Sequence, residues 1–154
     1  MTEEVPTKGR VIPPVYFLLA LMAMVALHYL VPIAQLINSP FRYTGIVLVV
    51  SAIALVLWAA VLFQRAGTTI KPFQKSSALI TRGPYRITRN PMYVGMVSAL
   101  IGIAVLLGSV APFLVLPAFA ALIQSKFIRA EEAALERTFG PVFLDYKSKV
   151  RRWL

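Results

Sequence analysis

Hydrophobic positions along the chain fall into four long runs that are separated by polar and basic segments. Each run reaches or approaches the roughly 20 residues that an α-helix needs to cross the hydrocarbon core of a bilayer. Lipid offers no hydrogen-bond partners, so a spanning segment must satisfy its backbone groups within a helix. The pattern therefore predicts an all-α, multi-pass transmembrane protein with about four spanning helices. The predicted spans are residues 11–33, 44–63, 92–107 and 110–127.

The segments between the runs predict how the spans are connected. Gly108 and Ser109 alone separate the third span from the fourth, which indicates a tight helical hairpin. A longer loop, residues 64–91, follows the second span and interleaves apolar with charged residues, which suits a segment lying against the helix ends. The tail, residues 128–154, has a helical composition. We interpret residues 1–154 as a single membrane domain.

Positive charges are distributed unevenly between the two sides of the predicted membrane. Lysine and arginine residues cluster before the first span, in the 64–91 loop and in the tail, whereas the opposite side carries only Arg42. Because lysine and arginine accumulate in cytoplasmic segments, we predict that both termini and the loop are cytoplasmic. An even number of spans follows, in agreement with four.

Composition excludes several classes of protein. The chain is 58% hydrophobic and 14% charged, compared with about 25% charged residues in an average soluble domain. Its net charge of +10 matches anionic lipid head groups, and no soluble domain is left over to bind nucleic acid. Cysteine is absent and His28 is the one histidine. Disulfides and thiolate nucleophiles are therefore excluded, and we expect no metal site.

Two segments contain candidate binding residues, and the first is the start of the third span. Asn90 is a favoured N-cap residue, and Pro91 suits the first helical position. One interpretation is simply a capped helix. The other is an anion site, formed by the free backbone N–H groups and the positive end of the helix dipole and reinforced by Arg86 and Arg89. The sequence leaves both interpretations open.

The second segment lies where the fourth span ends. Glu131 and Glu132 are two of the six acidic residues in the chain, and they either form a solvated, salt-bridged turn or hold a cation. Continuous helical spacing places Glu131 on the inward face with Ile128, so Glu132 is expected to point elsewhere. An anion site and a cation site on one side of the membrane would together suit a zwitterionic ligand, such as an amino acid moiety.

Several motifs occur in an order that resembles one known family. The order begins with Gly67-Thr68-Thr69 and continues with residues 78–86 and the segment Arg89-Asn90-Pro91-Met92-Tyr93-Val94-Gly95. The tail adds Glu131-Glu132, Leu135, Phe139-Gly140 and Asp145-Tyr146. Together these motifs resemble the isoprenylcysteine carboxyl methyltransferase and phospholipid methyltransferase family, in its bacterial form, over roughly residues 67–152.

This resemblance implies an integral methyltransferase of the bacterial inner membrane that uses S-adenosyl-L-methionine and releases S-adenosyl-L-homocysteine. It also implies that the loop and the tail enclose the cofactor in a cytoplasm-facing pocket, while a lipid-like or prenylated acceptor enters from the bilayer. Lys126 or Arg129 would contact the acceptor, and Arg137 and Tyr146 are candidate catalytic residues that would close the site. The cofactor contacts implied by the family are Ser77, Ala78, Leu79, Ile80, Tyr85, Asn90, Pro91, Met92, Tyr93 and Glu131.

The chain departs from the family pattern at two positions. Asn90 stands where many members have histidine, and it can donate a hydrogen bond but cannot act as a base. Phe127 stands where the eukaryotic prenylcysteine enzymes have a substrate-contacting arginine. The favoured hypothesis is methyl transfer to a lipid-soluble acceptor such as an isoprenylcysteine-like carboxylate. The alternatives are a phospholipid amine N-methyltransferase and a non-catalytic transporter or scaffold. The absence of acidic residues from the predicted spans counts against a transporter.

Four further residues receive structural interpretations. Gly95, Ala99 and Gly102 give the third span a small face on which a neighbouring helix can pack closely. His28 is expected to be a hydrogen-bonded interior or interfacial residue rather than a catalytic one.

Overall fold

The computed structural model describes residues 12–31, 33–67 and 78–154. Within these residues the chain is helical and contains no β-strand, apart from two isolated bridges. The helices are α1 Pro13–Leu30, α2 Thr44–Arg65, α3 Pro91–Leu107, α4 Val115–Ile123, α5 Arg129–Phe139 and α6 Pro141–Lys149. Short 3-10 turns form at Phe41–Tyr43, Gly83–Arg86 and Ala111–Leu114, and a π-helical turn, Gln124–Ile128, joins α4 to α5. The all-α fold predicted from the sequence is confirmed.

Among the described residues, three segments are long and apolar enough to cross a membrane: Pro13–Leu30, Phe41–Arg65 and Ala111–Phe139. The helix α3 is also apolar but shorter, with 17 residues. At 1.5 Å per residue it is about 25 Å long, somewhat less than the roughly 30 Å of a hydrocarbon core. The multi-pass membrane fold is thus confirmed, with three helices of spanning length and one shorter apolar helix.

Both ends of α3 carry residues suited to those positions. Pro91 is the first helical residue, where its missing N–H removes no intrahelical bond. At the other end Gly108 adopts a positive φ of 75° and donates to the Ala104 carbonyl oxygen over 2.9 Å, a common helix ending. The Gly108 carbonyl oxygen accepts from the N–H groups of Leu36 and Ile37 at 2.7 and 2.9 Å. The end of α3 is thereby tied to the segment that connects α1 to α2.

The small face of α3 packs against a matching small face of α2. Gly45, Ala52 and Ala59 are buried and recur every seven residues along α2, opposite Gly95 and Gly102 of α3. A Cβ atom at Gly102 would lie only 2.8 Å from the Gly45 carbonyl oxygen, which leaves no room for a side chain. Close backbone approach through small residues is a common way to pack helices in lipid. The expected small face of the third span is confirmed.

A larger apolar core lies between α1, α3 and α4. It includes side chains with no exposed surface from each of these helices and from the π-helical turn, and the partly buried aromatic and aliphatic residues around it extend the packing. The fully buried members are Met24, Leu100, Ala104, Ile123 and Ile128. This core holds the π-helical turn, and with it the start of α5, at a defined position relative to α3.

A polar contact fastens the opposite end of the bundle. His28, in the last turn of α1, lies with its Nδ1 atom 2.7 Å from the hydroxyl oxygen of Ser109, which is buried in the α3–α4 turn. Gln35 forms an isolated bridge with the same serine. The expectation that His28 is hydrogen-bonded is confirmed.

Replacing Gly102 with leucine is expected to force α2 and α3 apart, because the new side chain would overlap the Gly45 backbone. Overpacking of this kind costs about 1–3 kcal/mol, so the apparent melting temperature in detergent should fall. The matched control is Ala54→Leu, on the exposed side of α2, which should melt like the unmodified protein. Equal melting temperatures for the two variants would contradict the packing described here.

Candidate functional site

The start of α3 is the place where the candidate residues converge. The 3-10 turn Gly83–Arg86 precedes it, and the first turn of α5 packs beside it. The chain segment after α6, residues 150–153, runs alongside residues 88–90 and bonds to them. Residues far apart in sequence therefore meet at one end of the bundle.

A direct hydrogen bond joins α3 to α5 within this region. The hydroxyl of Tyr93, in the first turn of α3, donates to Oε1 of Glu131, in the first turn of α5, over 2.7 Å. Tyr93 is buried, whereas Glu131 is partly exposed. Two members of the predicted cofactor set are thus brought into contact, and the carboxylate keeps accessible surface with which it can bind a ligand.

Two further tyrosines are buried beside this pair. Tyr146 of α6 donates through its hydroxyl to the carbonyl oxygen of Tyr85 over 2.6 Å. Burial raises the pKa of Tyr85 above its ordinary range, and the neighbouring Tyr146 and Glu131 raise it further. Burial also raises the pKa of Tyr146 to about 12. Both phenols therefore stay protonated near neutral pH and do not act as bases.

Apolar members of the predicted cofactor set pack against the end of α2. Ile80 and Tyr85 are buried with Ala59, and Met92 packs against the same cluster. The Tyr85 ring lies with its centroid 5.7 Å from that of Phe63. Ala78 and Leu79, immediately before Ile80, are half-buried, while Ser77 lies outside the described residues. The arrangement provides an apolar and aromatic wall next to the Tyr93–Glu131 pair.

The start of α3 differs from a simple side-chain cap. Asn90 occupies the N-cap position, but its side chain makes no bond to the helix N–H groups. Its Nδ2 atom donates instead to the Arg152 carbonyl oxygen over 2.9 Å, and the residue is buried. Because Pro91 has no N–H, the first-turn N–H groups of Met92 and Tyr93 are the donors that lack an intrahelical acceptor. An anion at this helix end would bond to those two groups.

Glu132 is the main residue whose role the sequence did not predict. It was expected to point away from the interior, and this was wrong, because it is 6% exposed. Its carboxylate accepts hydrogen bonds from Arg89 at 2.9 and 3.2 Å and from Arg152 at 2.6 to 3.2 Å. The π-helical turn Gln124–Ile128 adds a residue to one turn and rotates α5 relative to α4. The predicted orientation of Glu132 assumed 3.6 residues per turn throughout the helix and was therefore wrong.

The exposed basic candidates are not brought into this cluster. Lys126, Arg129 and Arg137 are all exposed. Arg137 lies six positions after Glu131, and on an α-helix this spacing places the two side chains about 120° apart. By contrast, Tyr146 is buried within the site. Of the two candidate catalytic residues, the structure therefore places only Tyr146 among the cofactor candidates.

An apolar groove lies beside the cluster, between α1, α2 and α3. Gly95 and Met96 of α3 contribute to it, two and three residues after Tyr93. The cavity has a volume of about 210 Å³, and all of its lining residues are apolar. They are Pro14, Phe17, Ala52, Ile53, Val56, Leu57, Gly95, Met96 and Ala99.

The donor set at the start of α3 fits an S-adenosylmethionine-like cofactor. Glu131 offers a carboxylate for ammonium or hydroxyl groups, and the first-turn N–H groups of α3 suit a carboxylate. Met92, which is half-buried and packs on the buried Ile80 and Tyr85, offers apolar surface for an aromatic base. Within the described residues, no group of three or more His, Asp or Glu side chains is arranged to hold a metal ion.

Two curated proteins are similar to part of the chain. The nickel-cobalt-cadmium resistance protein NccN of Alcaligenes xylosoxydans xylosoxydans is 36% identical over 73 residues, which cover 47% of this chain and 34% of that protein. The cobalt-zinc-cadmium resistance protein CzcN of Cupriavidus metallidurans is 34% identical over 73 residues, covering 47% and 33%. The chain thus matches about a third of the length of these relatives. No solved structure matches the chain.

The family comparison is more extensive. A family model described as phospholipid methyltransferase matches residues 41–142, well over half of the chain. The matched region contains α2, α3, α4 and α5, and therefore both the Tyr93–Glu131 pair and the apolar groove's α2 and α3 walls. The resemblance inferred from the motifs is confirmed, and the chain belongs to the phospholipid methyltransferase family.

Proposed function

We propose that this protein transfers a methyl group from S-adenosylmethionine to a lipid-soluble acceptor at the cytoplasmic face of the membrane. The observation that carries the proposal is the Tyr93–Glu131 pair at the start of α3, with an apolar groove that begins at Gly95 and Met96, within one turn along the same helix. A polar cofactor and an apolar acceptor can therefore approach one another at a single place. Family membership supports the same class of reaction.

Different residues around the start of α3 would bind different groups of the cofactor. The N–H groups of Met92 and Tyr93 would bind its carboxylate, helped by the positive end of the helix dipole. Glu131 would bind its ammonium group or a ribose hydroxyl, and Tyr93 holds that carboxylate in place. When bound, the cofactor supplies a methyl group already activated as a sulfonium. The protein then contributes orientation and exclusion of water, which together can lower a transfer barrier considerably.

The length of α3 suits a site shared by water and lipid. Its C-terminal end is tied to Leu36 and Ile37 at the opposite side of the bundle. Because α3 is about 25 Å long, its first turn would lie roughly 5 Å inside a 30 Å hydrocarbon core. Tyr93 would then sit just below the level of the lipid head groups, where both reactants have access.

An acceptor that has already lost its proton at neutral pH suits this site best. Asn90 cannot take up a proton, and the buried Tyr85 and Tyr146 stay protonated near neutral pH. A carboxylate, such as that of an isoprenylcysteine-like lipid, needs no base, whereas an amine must first lose its proton. The exposed Lys126 and Arg129 would attract such an acidic acceptor. The second candidate, N-methylation of a phospholipid amine, is supported by the description of the family.

Binding of S-adenosylhomocysteine, measured by calorimetry on the purified protein, tests the cofactor. Glu131→Gln is expected to weaken binding about 10- to 100-fold, since a hydrogen bond to a charged group contributes about 1.5–3 kcal/mol. Glu136→Gln, on the same helix and paired with Lys147 at 3.1 Å, is the matched control and should bind normally. Absence of binding by the unmodified protein at high micromolar ligand would refute the proposed function.

The acceptor class can be read from the product. Membranes containing the protein are incubated with methyl-labelled S-adenosylmethionine, and the labelled lipid is treated with mild base. A carboxylate acceptor gives a methyl ester, so the label should be released by base. Label that stays with the lipid after this treatment would instead identify N-methylation.

The proposed orientation can be tested by labelling, because the chain contains no cysteine. Ser39→Cys lies between α1 and α2, and Ser148→Cys lies in α6; both positions are exposed. A membrane-impermeant maleimide added to spheroplasts should label Ser39→Cys at once and Ser148→Cys only after permeabilisation. The reverse pattern would place the site on the outer side of the membrane.

A further inference from the structure

Several hydrogen bonds hold residues 150–153 against the start of α3. The backbone N–H of Arg89 donates to the Arg151 carbonyl oxygen over 2.9 Å. The Arg152 carbonyl oxygen accepts from the Thr88 hydroxyl at 3.0 Å and from Asn90 Nδ2 at 2.9 Å. The three residues that lead into α3 therefore all hold this segment.

Arg89 is shared between the segment and Glu132. Its Nε and Nη2 atoms donate to Glu132, while Nη1 donates to the carbonyl oxygens of Lys147 at 2.9 Å and Val150 at 2.5 Å. Those carbonyls lie at the end of α6, where no intrahelical donor is available to them. The Arg89 and Glu132 side chains are 9% and 7% exposed. One buried guanidinium thus connects α5, the end of α6 and the start of α3.

The side chain of Arg152, which belongs to the segment, completes this network. It donates to Glu132 through Nε and through Nη2, the latter over 2.6 Å, and these bonds raise the pKa of Arg152, so it stays charged. The next residue, Trp153, donates through Nε1 to Gln124 Oε1 over 2.7 Å. Gln124 begins the π-helical turn that sets the rotation of α5. The segment therefore bridges the start of α3 and the beginning of that turn.

We infer that Glu132 is a positioning residue of the cofactor site, which acts by holding residues 150–153 across the start of α3 through Arg89 and Arg152. Arg89 directly precedes Asn90, and Glu132 directly follows Glu131. The ion pairs therefore form a second connection between the same two helix starts that Tyr93 and Glu131 join. Release of the segment would alter the spacing of the cofactor-binding groups and would remove Trp153 from its packing against the apolar core. This inference rests on the proposed function.

Trp153 provides a direct readout of whether the segment is docked. The chain has two tryptophans, so Trp58→Phe leaves Trp153 as the sole emitter. In this background Arg152→Met keeps an unbranched apolar stem but removes the guanidinium, and with it the hydrogen bonds to Glu132. We expect a red-shifted Trp153 emission and about tenfold or weaker binding of S-adenosylhomocysteine, since breaking a buried ion pair is strongly unfavourable. Arg151→Met, an exposed neighbour, is the matched control and should change neither signal.

A conservative variant separates positioning from folding. Arg152→Lys retains the charge but not the planar fork, so its affinity and emission should lie between those of the unmodified protein and Arg152→Met. It also provides the test if Arg152→Met does not fold. Unchanged cofactor affinity in Arg152→Met, or in Arg152→Lys if only that variant folds, would overturn the inference while leaving the proposed function intact. Absence of binding by the Trp58→Phe parent and by the unmodified protein would overturn both.

Discussion

The start of α3 is held against the start of α5 by two adjacent carboxylates that face different partners. Glu131 accepts from the Tyr93 hydroxyl, and Glu132 accepts from Arg89 and Arg152. A buried carboxylate is unfavourable unless it is paired and fully hydrogen-bonded, so this contact constrains both helix starts at once. Two further candidates are held nearby by bonds to backbone carbonyl oxygens, Asn90 to that of Arg152 and Tyr146 to that of Tyr85.

The packing of the membrane-spanning helices fixes the positions of the two helix starts that form this contact. Gly45 and Gly102 allow α2 and α3 to approach until their backbones nearly touch, which fixes where α3 lies. The end of α3 is anchored at Gly108, and the core around Leu100 and Ile123 sets the position of the π-helical turn. Lipid supplies no hydrophobic driving force between helices, so close packing and polar contacts at the ends carry the association.

The two halves of the site have different chemical requirements. The cofactor candidates provide charge and hydrogen-bond donors, whereas the groove at Gly95 and Met96 is wholly apolar. Under the proposed function, joining them on one short helix would bring a water-soluble cofactor and a lipid acceptor together. The curated relatives are named for resistance to metal ions, and their names add no residue-level argument for the chemistry of this chain.

The ordered motifs and the apolar runs allowed much of the site to be anticipated. The helical class and the small face of α3 followed from residue type and spacing, because these features depend on neighbours a few positions apart. The order of the motifs indicated the family. A hydrogen bond of His28 was expected, but its partner Ser109, 81 residues later, was not. The motif order also brought Tyr85, Tyr93 and Glu131 into one predicted set, and the structure places them together. The exposure of Lys126, Arg129 and Arg137 did not follow, since it depends on how the π-helical turn and α5 are rotated.

By itself, the sequence determined that this chain is a helical membrane protein, because a long apolar run in lipid must satisfy its backbone groups within a helix. The order of its motifs determined the family. Only the tertiary structure decided which acidic residue is buried. Glu132 pairs with Arg89, 43 residues before it, and with Arg152, 20 residues after it. The π-helical turn that orients Glu132 toward them cannot be recognised from hydrophobic periodicity. Pairing over such separations depends on the packed backbone, and therefore on the whole fold.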